Sequence, residues 1–147
     1  QQKISDKCEQ ENVNTLLKTG DRQPGMSCVS SIVQLGDFFY FSGQLGKGHT
    51  FHDQAVMACY NVRDCLHEFN LRFDHVLKFT VYLTDISMQN QFLDVFSNFV
   101  EAPYPAATFV EVVALDQDSM VCIEGMGVNT LRHERSMNEA YCEDCDN

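Results

Sequence analysis

The chain has 147 residues, of which 21 are acidic and 10 are basic, so its formal charge at pH 7 is −11. This length fits one domain with a core of its own, and no apolar run approaches the roughly 20 residues of a membrane span. The acidic balance and the lack of clustered Lys and Arg argue against a phosphate-binding surface, so we expect neither nucleic acid nor a membrane as a partner.

Seven cysteines, an odd number, are spread along the chain. Cys59, Cys65 and Cys122 fall in apolar periodic segments, where a thiol packs as a small hydrophobe. This usage is typical of a reducing compartment, so we expect a cytoplasmic protein with reduced thiols. Cys142 and Cys145 form a lone CxxC in an acidic tail, and without a second pair we interpret it as part of that tail. No metal and no cofactor are predicted.

The first part of the chain predicts a polar lead-in followed by a β-hairpin. Residues 1–27 are mostly polar, with one edge strand predicted over 13–18. Two β-rich runs, 31–35 and 38–42, then flank the tight-turn pair Gly36-Asp37. A glycine-rich loop leads from this hairpin to the first helix.

The middle of the chain alternates helix and strand. Apolar residues recur at three and four positions over 53–70, which predicts a helix with one buried stripe. The segment 76–83 is almost continuously apolar and predicts a central strand. Ser87 can cap a second helix running to about residue 100.

Two more strands are predicted at 107–114 and 121–128, and the charged tail from Arg132 onward is predicted to be disordered. The order β-β-α-β-α-β-β indicates an α+β fold with two helices on one face of a mixed sheet. The other face also carries apolar residues, so we expect an oligomer to cover it. The predicted divisions are a lead-in at 1–27, a domain at 28–131 and a tail at 132–147.

Four segments, in this order, resemble motifs of the Rid/YjgF family of imine and enamine deaminases, also known as L-PSP endoribonucleases. The segments are FYFSGQLG at 39–46, FDHVLKFTVYLTD at 73–85 (similar to the family's VVKTTVFLTD), PYPAATFVEV at 103–112 and VCIE at 121–124. The resemblance implies a chorismate-mutase-like fold, assembled as a homotrimer with clefts between neighbouring subunits.

The resemblance also implies a set of site residues. Glu124 matches the glutamate that activates water for attack on a C=N carbon, a general acid–base role. Ser42 and Gly43 match the SGQ element that lines the pocket. Thr108 and Phe109 follow the position of the family's substrate-binding arginine and line the same pocket.

Three positions depart from the family pattern. Ala107 stands where the family has an arginine that grips the substrate carboxylate with two parallel bonds. Val29 stands at the position of a pocket tyrosine, and Phe96 stands at the position of a pocket asparagine. Arg22, Arg132 or His133 of a neighbouring subunit could enter the cleft and replace the missing arginine.

These features lead to one leading hypothesis and two alternatives. The leading hypothesis is a trimer that binds a small metabolite and hydrolyses a C=N bond with Glu124, on a substrate altered by the loss of the arginine at Ala107. The first alternative is a non-catalytic ligand-binding or interaction domain, for example of a diphthamide-synthesis type polypeptide. The second, an endoribonuclease or translation inhibitor, is disfavoured by the charge of −11.

Overall fold

The computed structural model describes residues 17–145, with side chains as far as residue 138. Within residues 17–145, six strands form one sheet and three helices accompany them. The strands are β1 (Leu17–Thr19), β2 (Ile32–Leu35), β3 (Phe38–Leu45), β4 (Val76–Leu83), β5 (Ala106–Glu111) and β6 (Val121–Val128). The helices are α1 (Phe51–His67), α2 (Gln89–Phe96) and α3 (Leu131–Cys145). This mixed architecture confirms the predicted α+β class.

The strand order in the sheet is β1-β2-β3-β6-β4-β5. Neighbouring strands are antiparallel except β4 and β5, which run parallel. A parallel pair needs a crossover connection, and α2 lies in the segment that joins β4 to β5. Because β6 lies between β3 and β4, the last strand in chain order occupies a central position in the sheet.

Helix α1 forms as its apolar periodicity predicts, although it begins and ends two to three residues earlier than expected. The side chain of Thr50 accepts a hydrogen bond from the backbone N–H of Asp53 at 3.1 Å, which caps the first turn. The chain leaves the helix through Asn70, whose φ of +59° lies in the left-handed region. The buried stripe of α1 comprises Phe51, Ala55, Ala58, Cys59, Val62, Cys65 and Leu66.

The core between the helices and the sheet is built around the fully buried ring of Phe79 on β4. Phe41, Phe73 and Phe96 surround it, with ring centroids 6.1, 5.9 and 5.0 Å away. Such contacts between aromatic rings add to the free energy gained by burying their area. They hold α2 against the same sheet face as α1.

Helix α2 is shorter than predicted. The sequence indicates a helix capped by Ser87 and running to about residue 100, whereas α2 is preceded by a separate 3-10 turn, Ile86–Met88. The side chain of Asp85 accepts from the backbone N–H of Ser87 at 3.0 Å and is therefore the residue that caps this turn.

The face of the sheet opposite α1 and α2 carries exposed apolar side chains. Leu35 and Phe38 are each 54% exposed, and Tyr40 is 50% exposed. In the register of the hairpin, Leu35 pairs with Phe38 and Val33 pairs with Tyr40, so these side chains share one face. We call this surface the open face.

The tail differs from its prediction, because residues predicted to be disordered form α3. The side chain of Asn129 accepts from the backbone N–H of Leu131 at 3.1 Å. Glu134 accepts from Arg72 at 2.7 Å and lies 3.2 Å from Nε2 of the buried His75. These partners are about 60 residues away in the chain, so local composition could not reveal them.

Burial raises the pKa of the thiols of Cys59 and Cys65 to about 12 each, which fits their predicted role as packed hydrophobes. Both are free, as are Cys28 and Cys122. The side chains of the CxxC pair and most of the predicted strand at 13–18 lie outside the described part. None of the described helices is long and apolar enough to cross a bilayer.

Candidate functional site

Three polar side chains form a row across three neighbouring strands of the open face. Thr80 on β4 pairs with Glu124 on β6 and with Thr108 on β5. Directly paired residues point to the same side of a sheet, and neighbouring strands lie about 4.8 Å apart. The row therefore spans roughly 10 Å, with the glutamate at the end nearer to β3.

A β-bulge on β3 faces the glutamate end of this row. Phe41 pairs with Gly125 and Gln44 pairs with Ile123, so Ser42 and Gly43 together lie opposite the single residue between them on β6. This arrangement is a β-bulge, which bends a strand and redirects its side chains. The residue facing the bulge is Glu124, so the structure brings together three residues that the sequence predicts for the site.

The bulge is tied to the segment before β2, and its second position lies close to Cys122. Ser42 donates from its hydroxyl to the carbonyl of Ser30 at 2.8 Å, one residue after Val29. A Cβ on Gly43 would lie 2.5 Å from the sulfur of Cys122. Only glycine therefore fits between β3 and this cysteine without a shift of its neighbours.

The carboxylate of Glu124 is hydrogen-bonded by a tyrosine. The phenol of Tyr82 donates to Oε1 of Glu124. This hydrogen bond, with burial and the nearby negative charge, raises the pKa of Tyr82 above its ordinary value. Tyr82 pairs with Cys122, which lies two residues before Glu124 on β6. Tyr82 therefore belongs to the same face as the row. A half-buried carboxylate with one oxygen held by a hydrogen bond can accept and return a proton, which is what general acid–base chemistry needs.

A cation lies at the other end of the row. The ammonium group of Lys78 donates to the hydroxyl of Thr108 at 2.8 Å. Lys78 pairs with Met126 and with Ala106, which places it on the open face, two residues from Thr80 along β4. The site thus combines an acidic end and a basic end on one sheet surface.

Two other predicted site residues point to the helix-covered side of the sheet. Ala107 pairs with the buried Phe79, and Phe109 pairs with the buried Val81. The ring of Phe109 also packs against Phe92 of α2, with centroids 5.8 Å apart. Within one chain, therefore, neither residue faces the row that contains the glutamate.

Phe96 is a core residue within one chain. Its side chain is 6% exposed and stacks on Phe92 at 5.4 Å. It also meets Phe79 edge to face. Helix α2 turns this position towards the sheet, because residues 92, 95 and 96 form its apolar stripe. The predicted ligand-binding role of Phe96 stays a prediction.

A cleft of about 900 Å³ lies beside α1, away from the row. Its walls include Arg22, Gln23, Gln44 and Glu68, and none of the pocket residues that the resemblance implies within one chain lines it. Glu68 accepts from the hydroxyl of Ser31 at 2.6 Å and from the backbone N–H of Asp21 at 3.0 Å. These bonds attach the lead-in to α1, so we assign this cleft a structural role.

Sequence reasoning missed Lys78, Thr80 and Tyr82. They occupy alternate positions of VLKFTVYL, a polar pattern that marks one face of a strand. The alternation could have grouped the three residues. It could not have shown that they share a face with Glu124, because that depends on the register between β4 and β6.

Comparisons with known proteins agree with this arrangement of elements. A family model described as Endoribonuclease L-PSP matches residues 23–128. The chain is 27% identical over 124 residues to the 2-iminobutanoate/2-iminopropanoate deaminase of Bos taurus, covering 79% of this chain and 90% of that protein. It is also 27% identical over 121 residues to a RutC family protein of Aquifex aeolicus, covering 76% and 97% of the two chains.

Solved structures show the same fold. RidA from an Antarctic Psychrobacter species is 29% identical, with a TM-score of 0.70 over 77% of this chain and 98% of that one. Yeast Mmf1 is 23% identical and has a TM-score of 0.72 with the same coverage, a likeness that concerns the fold alone.

Proposed function

This chain belongs to the Rid/YjgF (Endoribonuclease L-PSP) family, and from that premise we propose that it hydrolyses the C=N bond of small imines that carry no carboxylate. The observation that carries the proposal is the Glu124 carboxylate on the open face, hydrogen-bonded by Tyr82 and opposite the bulge at Ser42 and Gly43. A relative whose name describes an imine deaminase supports the reaction class.

The proposed reaction needs one proton-transferring group and one water. The Glu124 carboxylate takes a proton from water while the water oxygen bonds to the imine carbon, and it passes that proton to the imine nitrogen, which gives a carbinolamine. Glu124 then takes the hydroxyl proton of the carbinolamine and delivers it to the same nitrogen, the C–N bond breaks, and ammonia leaves as the carbonyl forms. Atoms balance as imine plus water giving carbonyl compound plus ammonia, and such acid–base assistance contributes roughly 10²–10⁴-fold to a rate.

The substrate class follows from the residue at position 107. The family motif that this segment resembles has an arginine there, which binds a carboxylate with two parallel charge-assisted bonds. Ala107 offers a methyl group instead, and it lies on the other side of the sheet from Glu124 within its own chain. We therefore propose a neutral or weakly polar substituent on the imine carbon.

We further propose that the working unit is a homotrimer in which the open face packs against neighbouring subunits. Support comes from the exposed side chains of Leu35, Phe38 and Tyr40, because a monomer exposing such a contiguous apolar surface is uncommon. Light scattering at micromolar concentration measures the mass directly. A monomer would contradict the proposed assembly.

The reaction can be tested with imines released from primary amines by an amine oxidase. The wild type is expected to accelerate ammonia release over the spontaneous rate, whereas Glu124→Gln should lose roughly 10²–10⁴-fold in kcat. Glu101→Gln is the matched control, since it removes the same charge from an exposed loop. Equal turnover by the wild type and Glu124→Gln would contradict the assignment.

A non-catalytic ligand-binding trimer is the second candidate. It is favoured by the apolar residues Ala107 and Val29, which stand where the family pattern places polar groups. In that case the wild type would bind neutral amines or carbonyl compounds in calorimetry without accelerating imine hydrolysis.

A further inference from the structure

We propose that Tyr82 is a positioning residue for the acid–base step: its phenol fixes the Glu124 carboxylate so that one oxygen is held and the other is directed to the attacking water. This inference rests on the proposed function and adds a residue to it. The geometric basis is the hydrogen bond from the phenol of Tyr82 to Oε1 of Glu124.

The pairing follows from the strand register. Tyr82 lies opposite Cys122, and Glu124 lies opposite Thr80, so the tyrosine and the glutamate are diagonal neighbours on adjacent strands. Diagonal Cβ atoms lie about 7–8 Å apart, a gap that a long aromatic side chain spans. The phenylalanine found at this position in the family motif VVKTTVFLTD has no donor to make the same bond.

Holding one oxygen is useful because a free glutamate side chain samples several rotamers. A carboxylate that must accept and then return a proton works best when its orientation is set before the substrate arrives. The β-bulge at Ser42 and Gly43 lies across from Glu124. With Oε1 bonded to the tyrosine, Oε2 is the oxygen left for water on the open face.

The first test does not depend on activity. Ultraviolet titration of the wild type minus that of Tyr82→Phe isolates the ionisation of one of the five tyrosines. We expect the Tyr82 phenol to ionise above the ordinary tyrosine pKa, because ionisation would break its hydrogen bond to a carboxylate. In Glu124→Gln the same transition should move to lower pH, and in the control Glu101→Gln it should not.

The second test is kinetic and uses the neutral imine substrates. Tyr82→Phe should lower kcat roughly tenfold, the effect of one lost positioning hydrogen bond, with KM unchanged because the phenol does not contact the substrate. In a Glu124→Gln background the same substitution should change kcat little, since the tyrosine acts through that carboxylate. Tyr60→Phe, on α1 and away from the open face, is the matched control, and circular dichroism checks that each variant is folded.

The outcomes separate the two proposals. A Tyr82 transition that Glu124→Gln leaves in place would overturn the pairing. A raised Tyr82 transition that Glu124→Gln lowers, with equal kcat for wild type and Tyr82→Phe, would overturn the positioning role. Absence of wild-type turnover, together with that raised and Glu124-dependent transition, would support the pairing and overturn the proposed reaction.

Discussion

Gly43→Ala should destabilise the protein by crowding the bulge that faces Glu124. The new Cβ would lie 2.5 Å from the sulfur of Cys122, whereas non-bonded heavy atoms prefer about 3.5–4.0 Å. Relief therefore needs a movement of roughly 1 Å by β3 or by the cysteine side chain. Overpacking of this kind costs about 1–3 kcal/mol.

The measurement is urea unfolding at a fixed protein concentration, with thermal unfolding as a second readout. A loss of about 1–3 kcal/mol corresponds to a fall in Tm of roughly 2–10 °C for a chain of this size. Cys122→Ala removes the sulfur, so the double variant Gly43→Ala/Cys122→Ala should recover at least half of the lost free energy of unfolding. Cys122→Ala alone is the control for the small cavity that it leaves.

Two results would refute the reasoning. Gly43→Ala with the unfolding free energy of the wild type would mean that the bulge has room for a side chain. Additive effects in the double variant would mean that Gly43 and Cys122 do not touch, because contacting residues show coupling. Either result would mean that the close approach of Gly43 to Cys122 does not constrain the bulge.

Three further predictions follow from the site and from α3. Hydrolysis of imino acids generated in situ by an amino-acid oxidase should be negligible, because a lost charge-assisted pair costs on the order of 2–5 kcal/mol. Ala107→Arg should restore little of this hydrolysis. Wild-type turnover near that of an arginine-bearing relative would contradict the prediction. The hydrogen bond that raises the pKa of Tyr82 stabilises the fold below the ordinary tyrosine pKa, and this stabilisation is lost as the phenol ionises at higher pH. Tyr82→Phe should therefore lower the free energy of unfolding at pH 8, and the difference from the wild type should disappear in alkali. Arg72 lowers the pKa of Glu134, so Glu134→Gln should destabilise the fold above the ordinary glutamate pKa and match the wild type at acid pH in chemical unfolding.

Several elements could be predicted from the sequence because their causes are local. The strands at 76–83 and 121–128 have the predicted bounds, since runs of β-branched and aromatic residues ended by turn residues determine a strand within a few residues. The hairpin turn was predictable from the pair Gly36-Asp37, because the turn needs a φ of +60° at residue 36, which glycine adopts at little cost. The stripe of α1 follows from the 3.6-residue period, and the motifs that carry the family resemblance are equally local.

Tertiary structure alone decided which of the predicted residues meet. Glu124, Thr108, Ser42 and Gly43 share the open side because β6 lies between β3 and β4, an arrangement that no local pattern specifies. A shift of one residue in register would turn every side chain of a strand to the opposite face. The same dependence on register joined Tyr82 to Glu124 and turned Ala107 to the helix-covered side. Long-range pairing thus determined the site, because its residues lie up to about 80 positions apart in the chain.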